Sequence, residues 1–180
     1  MFGRMMPTEA DLKIPALMVA IDELPPDGLD LELDIPAREA AALVSAEGQE
    51  VPALASGLTG RLAVRNLGRR LSLKGSFQVE AEIPCDRCLA DAKTTLCGRV
   101  DELVNLVYPG ESATAAEEDE ADGSLAVVDG RVDLSGLMAE FFWLAWPFRF
   151  ICRPECAGLC PRCGADLNDG LCGCDKLAEN

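Results

Sequence analysis

Cysteine thiolates are the side chains with the clearest chemical potential in this sequence. Nine cysteines occur, and six of them lie within residues 152–174. Cys160 and Cys163 form a Cys-x-x-Cys pair, which is followed after eight residues by Cys172 and Cys174. A Cys-x-x-Cys turn directs two soft sulfur ligands toward one ion, and a second pair completes the tetrahedral shell that zinc prefers. The spacing therefore predicts a first zinc site at these four cysteines.

A second site is predicted from the cysteines that remain. Cys85 and Cys88 form another Cys-x-x-Cys pair, and they are grouped with Cys152 and Cys156, so that one or two zinc ions are expected per chain. The last cysteine, Cys97, is predicted to be a small packing residue. Iron in place of zinc is the less favoured alternative, and it is suggested by the resemblance of Cys160-Pro-Arg-Cys163-Gly to a rubredoxin knuckle.

The sequence contains no histidine, which limits the chemistry available to it. Ser-His-Asp catalysis, histidine general bases and histidine metal ligands are excluded. A zinc shell made of thiolates alone is typical of closed structural sites, whereas catalytic zinc keeps an open position. We therefore expect a protein that is not an enzyme. The alternative is a thiol-redox or metal-handling protein, although Cys85 and Cys88 lack the strand-to-helix context of a redox pair.

Composition and charge restrict the possible partners. With 49% apolar and 26% charged residues, the chain has the composition of a globular protein. Its net charge of −15 repels nucleic-acid phosphates at long range, so DNA is not an expected partner. Residues 1–13 lack the apolar stretch of a secretory signal, and the apolar segment 134–151 is interrupted by charged residues and proline. These features predict a cytoplasmic protein without a membrane partner.

Alternating polar and apolar residues predict a sheet-rich fold. Strands are expected at 12–21, 29–35 and 90–107, with a hairpin formed by 60–67 and 69–83. A short helix is expected at 36–46, and the main helix at 133–146. The predicted fold class is α+β: an antiparallel sheet, or a partly closed barrel, packed by that main helix.

Three regions follow from this organisation. Residues 1–151 are predicted to form the core domain, and residues 152–175 a Cys-rich zinc knuckle packed on it. Residues 109–124 carry six acidic and no basic residues, a composition that predicts a flexible loop.

A basic strand face is the candidate surface for nucleic acid. No acidic residue occurs between residues 51 and 79, and alternation along the predicted hairpin places four cations on one solvent face. This face could contact RNA phosphates, or it could be an ordinary solvated strand surface. Its members are Arg61, Arg65, Arg70 and Lys74.

The order of these motifs resembles the YceD family of bacterial proteins, also described as domain of unknown function 177. The first matching motif is Pro84-Cys-Asp-Arg-Cys-Leu89, with Cys85 and Cys88. The second runs from Cys156 to Asn168 and ends in Cys172-Gly-Cys174. Between them lie the apolar helix and Trp146-Pro147, so that the resemblance covers roughly residues 12–175.

The resemblance implies a role in the accumulation of large-subunit (23S) ribosomal RNA, and hence in ribosome assembly. The family is often encoded beside a large-subunit ribosomal protein, which makes ribosomal RNA or such a protein the expected partner. Two features depart from the family. Members often carry a basic segment after the last cysteine, whereas only Asp-Lys-Leu-Ala-Glu-Asn follows Cys174 here, and this chain is unusually acidic.

Overall fold

The computed structural model describes residues 14–45, 53–110 and 124–174. A single 3-10 turn, Pro15–Leu17, precedes the first strand. The helices and strands follow in this order: β1 (Met18–Ala20), β2 (Leu29–Ile35), α1 (Ala37–Val44), β3 (Ala53–Leu54), β4 (Leu58–Asn66), β5 (Arg70–Pro84), β6 (Asp91–Val107), β7 (Ser124–Ala126), β8 (Arg131–Asp133) and α2 (Ser135–Ala145).

A six-stranded sheet forms the centre of the fold. Its strands lie in the order β2-β4-β5-β6-β7, with β3 paired to β5 beside this path. All pairs are antiparallel except β6 with β7, which run parallel. Among the described strands no pairing joins β2 to β7, so the sheet is open. The α+β prediction is confirmed in its antiparallel form, and the partly closed barrel is wrong.

The predicted hairpin is confirmed as β4 and β5. Gly68 has a φ of +86°, a conformation that glycine adopts without steric cost. The side chain of Asn66 accepts a 2.9 Å hydrogen bond from the Gly68 N–H, and the Leu67 N–H donates to the carbonyl of Arg70. This turn fixes the register in which Val64 opposes Leu73.

The core lies between the inner face of the sheet and the two helices. Alternate residues of β5 are buried as predicted, including Leu71, Phe77 and Val79. From α2, Met138 and Phe142 are fully buried in the same cluster. Asp133 accepts a hydrogen bond from the Ser135 N–H at the start of this helix, which ends immediately before Trp146-Pro147. No helix in the described ranges is long and apolar enough to cross a membrane.

Three details differ from the sequence-based expectations. Residues 12 and 13 of the strand predicted at 12–21 lie outside the described residues, and from residue 14 onward that strand is limited to β1, because the chain forms a 3-10 turn at Pro15, a residue without an N–H for strand pairing. Cys97 is exposed on the outer face of β6, so its prediction as a packing residue is wrong. Residues 111–123 of the acidic segment predicted to be a flexible loop lie outside the described residues.

Candidate metal centres and the basic sheet face

The structure brings eight cysteines together as two groups of four. The hairpin-end group consists of Cys85, Cys88, Cys152 and Cys156, and the C-terminal group consists of Cys160, Cys163, Cys172 and Cys174. Within each group all four sulfur atoms lie within 4.8 Å of one another. These are the two sets expected from the sequence, and either set could hold a metal ion.

The sulfur separations fit a tetrahedral metal better than a disulfide. The Sγ atoms of Cys85 and Cys156 are 3.8 Å apart, and those of Cys88 and Cys152 are also 3.8 Å apart. A zinc ion bonded to four sulfurs at about 2.3 Å places those sulfurs about 3.8 Å from one another. A disulfide needs a separation of about 2.05 Å, and all nine cysteines are free.

The hairpin-end group forms where the β5–β6 turn meets the segment after α2. The turn is closed by hydrogen bonds from the Cys85 N–H to the carbonyl of Ala90 and from the Leu89 N–H to the carbonyl of Cys85. Asp86 then holds the incoming chain: its N–H donates to the carbonyl of Phe150, and its carboxylate accepts the Phe150 N–H at 2.7 Å. This two-way contact places Cys152 beside the turn.

Backbone donors make one sulfur of this group unusually acidic. The N–H groups of Cys152 and Arg87 each donate to the Sγ of Cys85 at 3.4 Å. The hydrogen bond from Cys152 lowers the pKa of Cys85 to about 6. Burial acts in the opposite direction on Cys152 and raises its pKa to about 12. A cation between the sulfurs would let all four ionise together.

The C-terminal group has the same electrostatic pattern. Gly164, with a φ of +73°, lets the chain turn so that its N–H donates to the carbonyl of Cys160. The backbone N–H of Arg162, followed in effect by that of Cys163, lowers the pKa of Cys160 to about 6. A hydrogen bond with the side chain of Cys163 raises the pKa of Cys174 to about 12.

These shifts predict how zinc binding depends on pH. Because Cys85 and Cys160 are largely thiolates at about pH 7, we expect zinc to release fewer than four protons per group there, and closer to four at about pH 5. The zinc affinity should therefore fall as the pH falls, and more steeply below about pH 6. Calorimetric titration in buffers of different ionisation enthalpy measures the released protons. A release that is equal at both pH values would contradict this assignment.

The basic sheet face is real as a geometric feature but is not uniformly positive. Its four residues are exposed, and the strand register places Arg61 and Arg65 of β4 on the same side as Arg70 and Lys74 of β5. Arg61 pairs with Glu32 at 3.3 Å, and Lys74 pairs with Asp101 at 3.0 Å. The neighbouring strands β2 and β6 thus place acidic side chains beside cations from which they are distant in the sequence.

Two side chains beside the cysteines were not predicted as site residues. Arg87 donates from Nη1 to the carbonyl of Cys156 at 3.0 Å. Asn168, which the sequence analysis named only as part of the second family motif, donates from Nδ2 toward the Sγ of Cys156 at 3.6 Å. One indication of these roles was present in the sequence: Arg87 lies between the paired Cys85 and Cys88, and Asn168 lies within the Cys-rich motif.

Comparison with curated proteins finds relatives without an assigned function. Uncharacterized proteins of Mycobacterium bovis and Mycobacterium tuberculosis are each 30% identical over 106 residues, which cover 59% of this chain and 49% of theirs. An uncharacterized protein of Mycobacterium leprae is 31% identical over 108 residues, covering 59% and 47%. The chain thus spans about half the length of these relatives. None of the solved structures matches it significantly.

A family model covers the part of the chain that holds both cysteine groups. Residues 73–180 match the family described as "Large ribosomal RNA subunit accumulation protein YceD". Of the basic face, only Lys74 lies within the matched range. The match covers more than half of the chain and agrees with the resemblance seen in its motifs. This chain therefore belongs to the YceD family of large ribosomal RNA subunit accumulation proteins.

Proposed function

We propose that this protein is a non-enzymatic, zinc-stabilised factor in the assembly of the large ribosomal subunit. In this role it binds one of two partners: ribosomal RNA, here called the RNA mode, or a basic ribosomal protein of that subunit, called the protein mode. Family membership supports the process, and the single structural observation that supports the proposal is the pair of four-cysteine groups. Shells made of four thiolates have no ligand position left for a substrate, so the metal would serve the fold rather than a reaction.

The zinc ions would fix the C-terminal segment against the end of the β5–β6 hairpin. A zinc ion with four thiolate ligands would partly neutralise the charge of those thiolates and would cross-link the segments that carry them. The chain itself supplies the remaining order: Asp86 fixes the approach of Phe150, and Arg87 fixes the carbonyl of Cys156. This arrangement gives a rigid body whose sheet surface stays available for a partner.

The basic sheet face is the proposed RNA contact. The ion pairs of Arg61 and Lys74 are solvent-exposed, and such pairs contribute only about 0–1 kcal/mol each, so phosphate can replace the carboxylates at little cost. Arg65 donates from Nη1 to the carbonyl of Asp27 at 2.9 Å, a contact that orients the guanidinium while leaving its charge uncompensated by that group. The overall charge of −15 favours the second mode, in which a basic ribosomal protein is bound.

Reversing two charges tests the RNA mode. The double variant Arg65→Glu/Arg70→Glu should abolish binding to large-subunit ribosomal RNA, because two attractive phosphate contacts become repulsive. Wild-type binding should weaken steeply with salt, with log K falling by about 0.7–0.9 per phosphate contacted for each unit of log salt concentration. Filter binding or fluorescence anisotropy across a salt series measures both effects.

The matched control moves the same charge change away from the sheet face. Arg38 of α1 and Arg131 of β8 are exposed, and the double variant Arg38→Glu/Arg131→Glu should bind RNA as tightly as the wild type apart from a general charge effect. If Arg65→Glu/Arg70→Glu binds RNA unchanged, the sheet face is not the contact.

A pull-down from cell lysate, with and without RNase, separates the two modes. Capture of a large-subunit ribosomal protein that survives RNase supports the protein mode, whereas capture that RNase abolishes supports the RNA mode. RNA cleavage with added magnesium, or reduction of insulin disulfides, would overturn the assignment as a protein that is not an enzyme.

A further inference from the structure

The side chain of Asn168 connects the two cysteine groups. Asn168 belongs to the loop between Cys163 and Cys172, and that loop closes the C-terminal group. Its amide nevertheless reaches the other group, since Nδ2 lies 3.6 Å from the Sγ of Cys156. One residue therefore takes its position from one candidate metal centre and makes a sulfur contact in the other.

The amide of Asn168 has a defined orientation. Its Oδ1 accepts hydrogen bonds from Nη2 of Arg153 at 2.8 Å and from the N–H of Ala157 at 2.9 Å. Its Nδ2 donates to the carboxylate of Asp166 at 2.6 Å as well as to Cys156. Two donors on one side and two acceptors on the other permit only this orientation of the amide. The N–H group is thus held toward the sulfur of Cys156, a contact that fixes the orientation of this candidate ligand.

Backbone hydrogen bonds carry the Asn168 loop against the hairpin-end group. The N–H of Leu167 donates to the carbonyl of Gly158, and the N–H of Cys160 donates to the carbonyl of Ala165. The segment that contains Gly158 also contacts the hairpin, since the N–H of Leu159 donates to the carbonyl of Arg87 in the turn between Cys85 and Cys88. A short series of backbone hydrogen bonds therefore links the position of the loop to both groups.

We propose that Asn168 couples metal binding at the two groups, so that loading the C-terminal group raises the zinc affinity of the hairpin-end group. This inference rests on the proposed zinc-stabilised role. A metal at Cys160, Cys163, Cys172 and Cys174 fixes both ends of the loop that presents Asn168 to Cys156. Without it the loop loses that restraint, and Cys156 loses the hydrogen bond that orients its sulfur as a ligand. Coupling of this kind is reciprocal, so loading either group favours loading of the other.

The variant Asn168→Asp tests the coupling with little change in size. It places a carboxylate oxygen where Nδ2 faces both Cys156 and Asp166, so it removes the donor and adds repulsion. Residues around metal ligands typically change metal affinity by about 10–100-fold, and we expect a loss in this range at the hairpin-end group. Asn105→Asp on β6 makes the same chemical change away from both groups and should leave the zinc affinity unchanged.

Occupancy of each group can be measured separately in the full-length chain. Zinc-bound thiolates resist alkylation, so competition with a chelator, followed by N-ethylmaleimide and peptide mass spectrometry, reports the two groups independently. Cys172→Ser, which disables the C-terminal group, should also lower the affinity of the hairpin-end group, but by less than Asn168→Asp does, because it adds no repulsion. The combined variant should be no weaker than Asn168→Asp alone, because the contact that Cys172→Ser would loosen is already absent there.

The outcomes distinguish this inference from the proposed zinc role. If the wild type retains no zinc at either group, both proposals fail. If the wild type binds two zinc ions but Asn168→Asp leaves the hairpin-end affinity unchanged, only the coupling is overturned. Additive losses in the combined variant would also overturn it. Asn168→Asp retains all eight grouped cysteines, so it remains informative even if Cys172→Ser fails to fold.

Discussion

Removing zinc should lower the free energy of unfolding by about 4 kcal/mol for each of the two groups, if free zinc had been about a thousand times its dissociation constant. In a chain of this size each such loss corresponds to a decrease in Tm of roughly 10 °C. The expectation arises because the described C-terminal segment has almost no apolar core of its own. Within residues 151–174 the only buried residues are Cys156, Gly158 and Cys160.

Thermal unfolding with and without a strong zinc chelator measures this effect. Restoring zinc in excess over the chelator should recover the original Tm, whereas magnesium, which prefers oxygen ligands, should not. Native mass spectrometry of the same samples should find two zinc ions per chain before chelation. An unchanged Tm after complete removal of the metal would show that the segment is held by other contacts.

Sequence periodicity was sufficient for the long elements of this fold. In β5, alternation identifies Leu71, Leu73 and Phe77 as buried and fixes which side chains face solvent. Asn66 and Gly68 mark the turn between β4 and β5 because each has a specific role in it. The two cysteine groups could likewise be predicted from the sequence, since pairs of closely spaced thiols leave few ways to complete two tetrahedral shells.

Contacts between residues distant in sequence could not be obtained in this way. The pairing of Arg61 with Glu32 and of Lys74 with Asp101 depends on the order and register of strands, which alternation along one strand does not specify. Cys97 shows the same limit, because its exposure depends on what covers the outer face of β6. For Asn168, the local sequence indicates a turn, and only the fold shows that its amide meets Cys156.

The hairpin-end group should contribute more to stability than the C-terminal group, because it joins more distant parts of the chain. Cys85 and Cys156 are 71 residues apart, whereas residues 160–174 enclose the whole C-terminal group. The entropy of closing a loop grows with the logarithm of its length, and this fivefold ratio corresponds to about 1.4 kcal/mol. Cys152→Ser should therefore lower the free energy of unfolding by about 1.4 kcal/mol more than Cys174→Ser.

Cys152 and Cys174 form a matched pair for this comparison, because both are partly buried and both have a pKa raised to about 12. Urea unfolding in excess zinc, with each variant confirmed to retain one ion, gives the two free energies. If Asn168 couples the groups, the coupling energy is lost equally in both variants, since it is reciprocal, and it cancels from the difference. The remaining difference reports loop closure, and equal stabilities would show that the long-range connection between the hairpin and the C-terminal segment persists without its metal.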